Sequence, residues 1–471
     1  MKSNTDKFFG RPSVIFILIF VAGICWYFST GLRGDLWWLA WVAPLPILLI
    51  IPEVSSRNAF WIAFSSYLLG RLSWVTYLHS VLPVILVIIF TLALPLVFAF
   101  ILLATRKIVL QTNHWTAFLS FPILYSGFEW IYFQFSKDGT AGSLAYSQSD
   151  CLPLIQVASI TGVTGISFFV CMIPALLAAI IYFRRSDNKY RIPLWFLFII
   201  TGGVFLFGYI RLHRENKSPG IRVGMIVIDE SSRRGNAESI LQQYAKSIDS
   251  LDRDSLNLII LPEKIASIKN DEELGILTAA ARKYQVDILV GISSEKENDK
   301  LNQALLISYD QPVQIYTKVN LYEGEAYEGF RPGSATGEIS WRNFPIGLVV
   351  CKDMDFDHFI RRYKMAYTLL VPAWDFVKDD WMHSRMAILR GIENGFSIAR
   401  NARQGRLTIT DYRGRVIHEI SSADGKAHVL TGKLPLQKIT TLYSKIGNLF
   451  GFLNLIASCW IFILLFRKKG S

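Results

Sequence analysis

Apolar residues along the chain fall into eight long runs, with one long polar interval between the seventh and the eighth. The runs lie near 12–27, 36–52, 59–79, 82–104, 115–135, 163–183, 193–210 and 447–466. Each approaches the ~20 residues needed to cross a hydrocarbon core. Between 215 and 446 the pattern changes to short β-branched stretches alternating with amphipathic ones. Strands are expected at 221–228, 256–261, 286–291, 304–308, 314–317, 346–350, 368–371, 396–399 and 407–410, and helices near 236–251, 271–285 and 380–394. Arg413-Gly414 ahead of Val416 reads as a hairpin turn. The expected organisation is a transmembrane domain of seven helices over 1–214, an α/β domain over 215–446, and a last transmembrane helix with a basic tail over 447–471. The middle domain, about 230 residues, is long enough to bury a substantial core.

Composition and charge sharpen this picture. Of 471 residues, 52% are hydrophobic, a content too apolar for an ordinary soluble chain. A cleaved leader is the competing reading for the first run, but no small-residue cleavage site follows it and more apolar segments do. Basic residues gather at Lys2, Lys7 and Arg11, at Arg106-Lys107, at Arg184, Arg185, Lys189 and Arg191, and at Arg467-Lys468-Lys469. Counting spans from the start, all four clusters fall on one side, which the positive-inside rule makes cytoplasmic. Residues 215–446 then lie outside the cytoplasm. The net charge of +12 therefore reports membrane-flanking loops, and no nucleic-acid partner is expected. Two charges, Arg71 and Glu129, lie inside apolar runs. Such groups either face a bundle interior with a function or sit near the interface and snorkel.

The chain has five cysteines: Cys25, Cys151, Cys171, Cys351 and Cys459. Neither a CxxC pair nor a Cys/His pair has metal-ligand spacing, so no disulfide framework, metal or cofactor is expected. Cys351 alone lies in the long polar region, where the strand-like 346–350 ends abruptly in Cys351-Lys352-Asp353. Taken alone it is an ordinary core cysteine. Two other expected strands also end in chemistry, 256–261 running into Pro262-Glu263 and Ile315-Tyr316-Thr317 into Lys318. Catalytic groups in α/β folds collect beyond strand ends. A thiol needs a base, which a carboxylate supplies, and an ammonium stabilises both the thiolate and an oxyanion. Glu263, Lys318 and Cys351 thus make a complete acyl-transfer set without histidine. The plainer reading of Glu263 and Lys318 is a solvated strand-end carboxylate and a surface lysine.

The order Leu-Pro-Glu263, Tyr-Thr-Lys318, Val-Val-Cys351-Lys-Asp353 resembles the nitrilase (carbon–nitrogen hydrolase) superfamily. So do Arg390-Gly391-Ile392-Glu393-Asn394-Gly395 and Thr410-Asp411-Tyr412-Arg413-Gly414-Arg415. Seven spans before such a domain and one after it, with the loop Gly142…Tyr146-Ser147-Gln148…Gly162-Val163-Thr164-Gly165, are similar to the bacterial apolipoprotein N-acyltransferase family. The fold implied is an αββα nitrilase-like sandwich fused to an α-helical bundle of 7 + 1 spans. The reaction implied moves an acyl chain from a phospholipid to Cys351 as a thioester, then to the N-terminal amine of a diacylglyceryl-cysteine. Glu263 is then the general base, while Lys318 and the backbone N–H after Cys351 hold the oxyanion. The implied partners are a phospholipid donor, a diacylated apolipoprotein acceptor and the bilayer of the bacterial cytoplasmic (inner) membrane, with the catalytic domain periplasmic and the chain acting as a monomer. No nucleic acid enters this scheme.

A second glutamate is implied in the loop after the lysine. Glu323, Glu325 and Glu328 compete, and Gly324-Glu325 fits best. Lys352, Asp353 and Trp374 are expected to contact substrate. The family commonly has an aromatic and a glutamate after the nucleophile, where this chain has Lys352 and Asp353. That departure leaves open a second reading, a membrane-tethered nitrilase-type amidase or acyltransferase with another acceptor. His383 is expected to be a structural helix residue, and the glycine-rich 324–333 a mobile gate.

Overall fold

The computed structural model describes residues 11–29, 32–184, 190–214, 218–233, 235–251, 256–296 and 299–466. The basic residues Lys2, Lys7, Arg185, Lys189, Arg467, Lys468 and Lys469 lie outside them. The chain divides into two compact units. One comprises Met1–Ser136, Gly142–His213 and Asn448–Ser471, and the other Lys137–Ala141 with Arg214–Gly447.

In the first unit, five described helices are long and apolar enough to cross a membrane: Pro12–Ser29, Val84–Thr112, Ala158–Phe183, Arg191–His213 and Leu449–Phe466. The other apolar runs fold as shorter pieces. The stretch 36–52 breaks into Trp37–Trp41, Leu45–Ile50 and Ile51–Glu53, because Pro44, Pro46 and Pro52 remove backbone donors and clash with the preceding turn. The stretch 59–79 is the 16-residue helix Ser56–Arg71, a turn at Leu72–Trp74, and the short helix Val75–Val81. The fifth run is the turn Trp115–Leu119 followed by Ser120–Phe135. Hydropathy located the apolar sequence, and proline and turn chemistry set where helices begin and end. Gln148 of the small-residue loop is fixed in this unit, its side chain accepting from Trp41 Nε1 at 2.7 Å and donating to Trp37 O at 3.1 Å.

The second unit is a sandwich of two sheets. The first has the order His428–Pro435, Gly220–Val227, Leu258–Ile260, Asp287–Lys296, Asp299–Ile307, Gln314–Thr317, with Ser267–Ile268 also on Asp287–Lys296. The second runs Val416–Ser421, Arg406–Thr410, Ser397–Arg403, Thr368–Trp374, Phe344–Leu348, Gly337–Trp341. One buried cluster joins Val223, Leu258 and Leu306 of the first sheet to Ile346, Leu369 and Ile398 of the second, so the core lies between the sheets. Helices Ala237–Asp249 and Gly275–Tyr284 cover the far face of the first sheet through Leu241, Tyr244 and Leu277. Helix Asp380–Asn394 packs on Ser397–Arg403 and Arg406–Thr410. This is the expected αββα arrangement.

Three strands were not anticipated: Ser267–Ile268, Gly337–Trp341 and His428–Pro435. The last alternates half-exposed and exposed residues, with Leu434 buried, and pairs antiparallel with Gly220–Val227, about two hundred residues away in sequence. Such an edge pairing depends on a distant partner and leaves little local signal. The sheets are also pinned by polarity: the buried Asn401 amide donates to Ile226 O at 3.1 Å and to Ile260 O at 2.6 Å. A buried amide that lost either acceptor would cost about 1–3 kcal/mol.

Candidate active site

Each of the three strand ends delivers its side chain to one place. Glu263 follows Leu258–Ile260 and is 2% exposed. Its backbone N–H donates to Ala373 O of the other sheet at 3.3 Å, which closes the sandwich at this end. Gly291 makes room for that crossing, since a Cβ there would stand 2.6 Å from Glu263 Cα. Lys318 follows Gln314–Thr317, and its ammonium lies 2.9 Å from Glu263 Oε1 and 2.8 Å from Glu325 Oε2.

The geometry also chooses among the loop glutamates. Glu325 is 2% exposed on the short helix Glu323–Tyr327, whereas Glu323 and Glu328 point outward to Lys137 and Lys300. Burial alone would raise the Glu325 pKa, but the ammonium groups of Lys318 and Lys264 hold it at about 2. Lys264 Nζ reaches Glu325 Oε1 at 2.9 Å. Lys318 shows the converse. Burial works against its charge, yet Glu263 and Glu325 raise its pKa well above the ordinary value, so it stays an ammonium.

Cys351 sits at the turn between Phe344–Leu348 and the single-turn helix Cys351–Asp355. Its φ is +40°, in the left-handed region where a side chain costs about 1–3 kcal/mol and persists only if surroundings impose it. Asp353 imposes it. Its fully buried carboxylate accepts from Tyr316 Oη at 2.7 Å, Val350 N at 3.2 Å, and Asn320 N and Nδ2 at 2.8 and 2.9 Å. The half-buried thiol donates toward Trp374 O at 3.5 Å. Desolvation, then the Glu263 charge, pushes the thiol pKa well above its usual value, with Lys318 pulling the other way. The resting Cys351 side chain is thus a neutral thiol that needs a base to become nucleophilic.

The residues expected to touch substrate separate here. Trp374 is 38% exposed beside the thiol, with the Arg403 guanidinium 3.5 Å over its ring. Asp353 does not face substrate, because it is wholly buried and its bonds tie the turn that carries Cys351, through Val350 N, to Tyr316 and Asn320. Lys352 is also committed elsewhere, its ammonium lying 2.6 Å from Asp138 and 3.5 Å from Asp355. His383 lies between Asp379, at 2.9 Å, and Asp355, at 3.6 Å. Burial disfavours its charge, but the two carboxylates raise its pKa well above the usual range, so it is a buried cation in support of the turn.

Sequence reasoning missed Asn302 and the Asp375–Arg400 pair. Asn302 Nδ2 donates to both Glu263 Oε1 and Glu325 Oε1 at 2.6 Å. Its one signal is a buried amide inside the apolar strand Asp299–Ile307. Arg400 grips Asp375 with two bonds of 2.9 and 2.5 Å, and both groups act on the Cys351 thiol. No cluster of histidine, cysteine and carboxylate groups that would hold a metal occurs among the described residues.

A buried glutamate and lysine and a half-buried cysteine stand at the strand ends of an αββα sandwich. The family model described as carbon-nitrogen hydrolase matches residues 224–443, and the one described as the apolipoprotein N-acyltransferase N-terminal domain matches 22–176. Together they span well over half of the chain. Curated proteins named apolipoprotein N-acyltransferase are similar over nearly the whole length. The one from Geobacter metallireducens is 26% identical over 92% of both chains, and the one from Chlorobaculum tepidum 24% identical over 86% of this chain and 87% of its own. Among solved structures, the NitN amidase from Neterenkonia sp. AN1 is 20% identical, with a TM-score of 0.41 over 46% of this chain and 93% of its own. The chain belongs to the apolipoprotein N-acyltransferase family, and with five described membrane-length apolar helices it is an integral membrane protein.

Proposed function

We propose that this protein transfers a fatty acyl chain from a phospholipid to the N-terminal amine of diacylglyceryl-cysteine in apolipoproteins, through a thioester on Cys351. The observation that carries the chemistry is Lys318 held between Glu263 and Glu325, next to a thiol presented on a left-handed turn. The relatives named apolipoprotein N-acyltransferase support the acceptor.

In the first half-reaction Glu263 takes the thiol proton and the sulfur attacks the sn-1 ester carbonyl. The Lys318 ammonium and the N–H that follows Cys351 stabilise the oxyanion. The ester C–O bond breaks, and the leaving alkoxide takes the proton from Glu263, giving lysophospholipid and acyl-Cys351. In the second half-reaction Glu263 takes a proton from the acceptor amine as that amine attacks the thioester. The C–S bond breaks and the proton returns to sulfur. Glu325 stays ionised throughout and keeps Lys318 charged.

The reading includes seven spans in 1–214, a catalytic domain of 215–446 on the periplasmic side of the inner membrane, and a last span in 447–471. The placement of the basic clusters supports that orientation. Both substrates are then lipids anchored in the same leaflet.

The test uses a phospholipid labelled in its sn-1 acyl chain, incubated with the purified protein and a diacylated lipopeptide. Label on the peptide amine, absent with Cys351→Ala, supports the proposal. Label released as free fatty acid with the peptide unmodified would favour a hydrolase.

A further inference from the structure

The segment Lys137–Ala141 belongs to the second unit, although in sequence it lies between helices Ser120–Phe135 and Ala158–Phe183 of the first. Its contacts converge on the turn that carries Cys351. Asp138 Oδ1 lies 2.6 Å from the Lys352 ammonium. The Thr140 backbone N–H and hydroxyl both donate to Asp355 O, at 3.0 and 2.9 Å. Thr140 is buried, and Gly139, at φ +54°, passes so close that a Cβ there would run into the same Asp355 carbonyl. Lys137 reaches Glu323 at 2.8 Å, on the short helix that also carries Glu325.

The single-turn helix Cys351–Asp355 is therefore held at both ends. The Asp353 carboxylate accepts from Val350 N at its start, and Thr140 takes the Asp355 carbonyl at its close. Between these two anchors lies the N–H of Lys352. A left-handed Cys351 persists only while its surroundings impose it, so freeing the far end of the turn would let that N–H move. The Lys352 side chain is a third anchor, only 11% exposed. Burial works against its charge, but Asp355 and then Asp138 raise its pKa above the ordinary value, so it stays an ammonium. Asp355 stands 3.5 Å away, so Asp138 makes the shorter contact. The Lys137–Glu323 pair is exposed on both sides and holds little by itself. Lys352 is not exposed, and losing Asp138 would leave a buried ammonium partly uncompensated.

We propose that Lys137–Ala141 is a clamp on this turn, in which Asp138 through Lys352, and Thr140 through the Asp355 carbonyl, keep the Lys352 N–H aimed at the developing oxyanion. Asp138 and Thr140 are positioning residues, since neither touches the reacting atoms. The inference rests on the oxyanion role given to that N–H in the proposed reaction. A donor serves an oxyanion only at hydrogen-bond distance from the charge as it forms, and a misplacement of about 1 Å costs up to about 10²-fold in rate.

The test uses the full-length protein in micelles and follows acyl-Cys351 formation from phospholipid by intact mass under single-turnover conditions. Asp138→Ala removes an exposed carboxylate and should slow the step by about tenfold, with the lipid concentration for half-maximal rate unchanged. Asp138→Glu should keep the wild-type rate. In Lys352→Met the same Asp138→Ala change should have no further effect, because its partner is gone. A wild-type rate in Asp138→Ala, or the same loss repeated in the Lys352→Met background, would overturn the proposal. Hydrogen exchange separates the clamp from the chemistry. Amides over 350–356 should exchange several-fold faster in Asp138→Ala than in wild type, at an unchanged thermal unfolding midpoint. Unchanged exchange overturns the clamp. Faster exchange in a protein whose wild type forms no adduct supports the clamp and counts against the thioester alone.

Discussion

The Lys318 ammonium lies 2.9 Å from Glu263 Oε1, and the two side chains are only 2% and 3% exposed. A buried pair of this kind is tolerated because each charge satisfies the other, and breaking it leaves one uncompensated. Glu325 keeps a second ammonium, Lys264, whereas Glu263 has no other cation in hydrogen-bonded contact among the described residues. Lys318→Met should therefore cost about 3–5 kcal/mol, seen as a lower thermal unfolding midpoint. It should also slow acyl transfer by about 10²–10³, the usual loss for one oxyanion donor.

Glu325 makes the site sensitive to acid. Its folded pKa of about 2 lies below its ordinary 4.5. A carboxylate with a depressed pKa contributes stability above its unfolded value, and that contribution disappears as pH falls toward the folded one. The wild type should lose stability between about pH 4.5 and 2 by this route. In Glu325→Gln that part of the loss should be absent, measured by thermal melts across the interval. An unchanged acid profile in the variant would contradict the ion-pair assignment.

The thiol should be unreactive at rest. Burial and the Glu263 charge raise its pKa, so below that value it is protonated. With Cys25, Cys151, Cys171 and Cys459 replaced, alkylation by a small neutral reagent at pH 8 should be slower than for a free cysteine. Glu263→Gln should reduce acyl-enzyme formation by about 10²–10⁴ through loss of the base, with little change in KM for the lipid.

Asp353 fixes the turn that presents Cys351. Asp353→Asn turns an amide donor toward Tyr316 Oη or Asn320 N, both of which donate in the wild type. A loss of about 1–3 kcal/mol is expected, with kcat falling and KM unchanged. A change confined to KM would instead return Asp353 to a substrate-contacting role.

Much of this site could be read from sequence because three strands stop abruptly. Leu258–Ile260, Gln314–Thr317 and Phe344–Leu348 each run into a polar residue that an apolar strand would not otherwise carry. What escaped is what depends on chain crossings. Glu325 did not escape: Gly324-Glu325 points to it over Glu323 and Glu328, and it is the one buried on the five-residue helix. Asn302 sits inside an unbroken strand, where nothing local distinguishes a buried amide that bridges two glutamates. Asp353 looked like a substrate contact because of its place beside the nucleophile, and only Tyr316 and Asn320, brought in from another strand and its following loop, reveal its structural task.

The central claim is the thioester on Cys351, and intact mass measurement of the protein after incubation with phospholipid tests it most directly. The expected result is an acyl-sized gain in mass that hydroxylamine removes, that a diacylated lipopeptide discharges onto its own amine, and that Cys351→Ala never shows. Acyl transfer to the lipopeptide with no adduct at Cys351, or with full activity in Cys351→Ala, would contradict it.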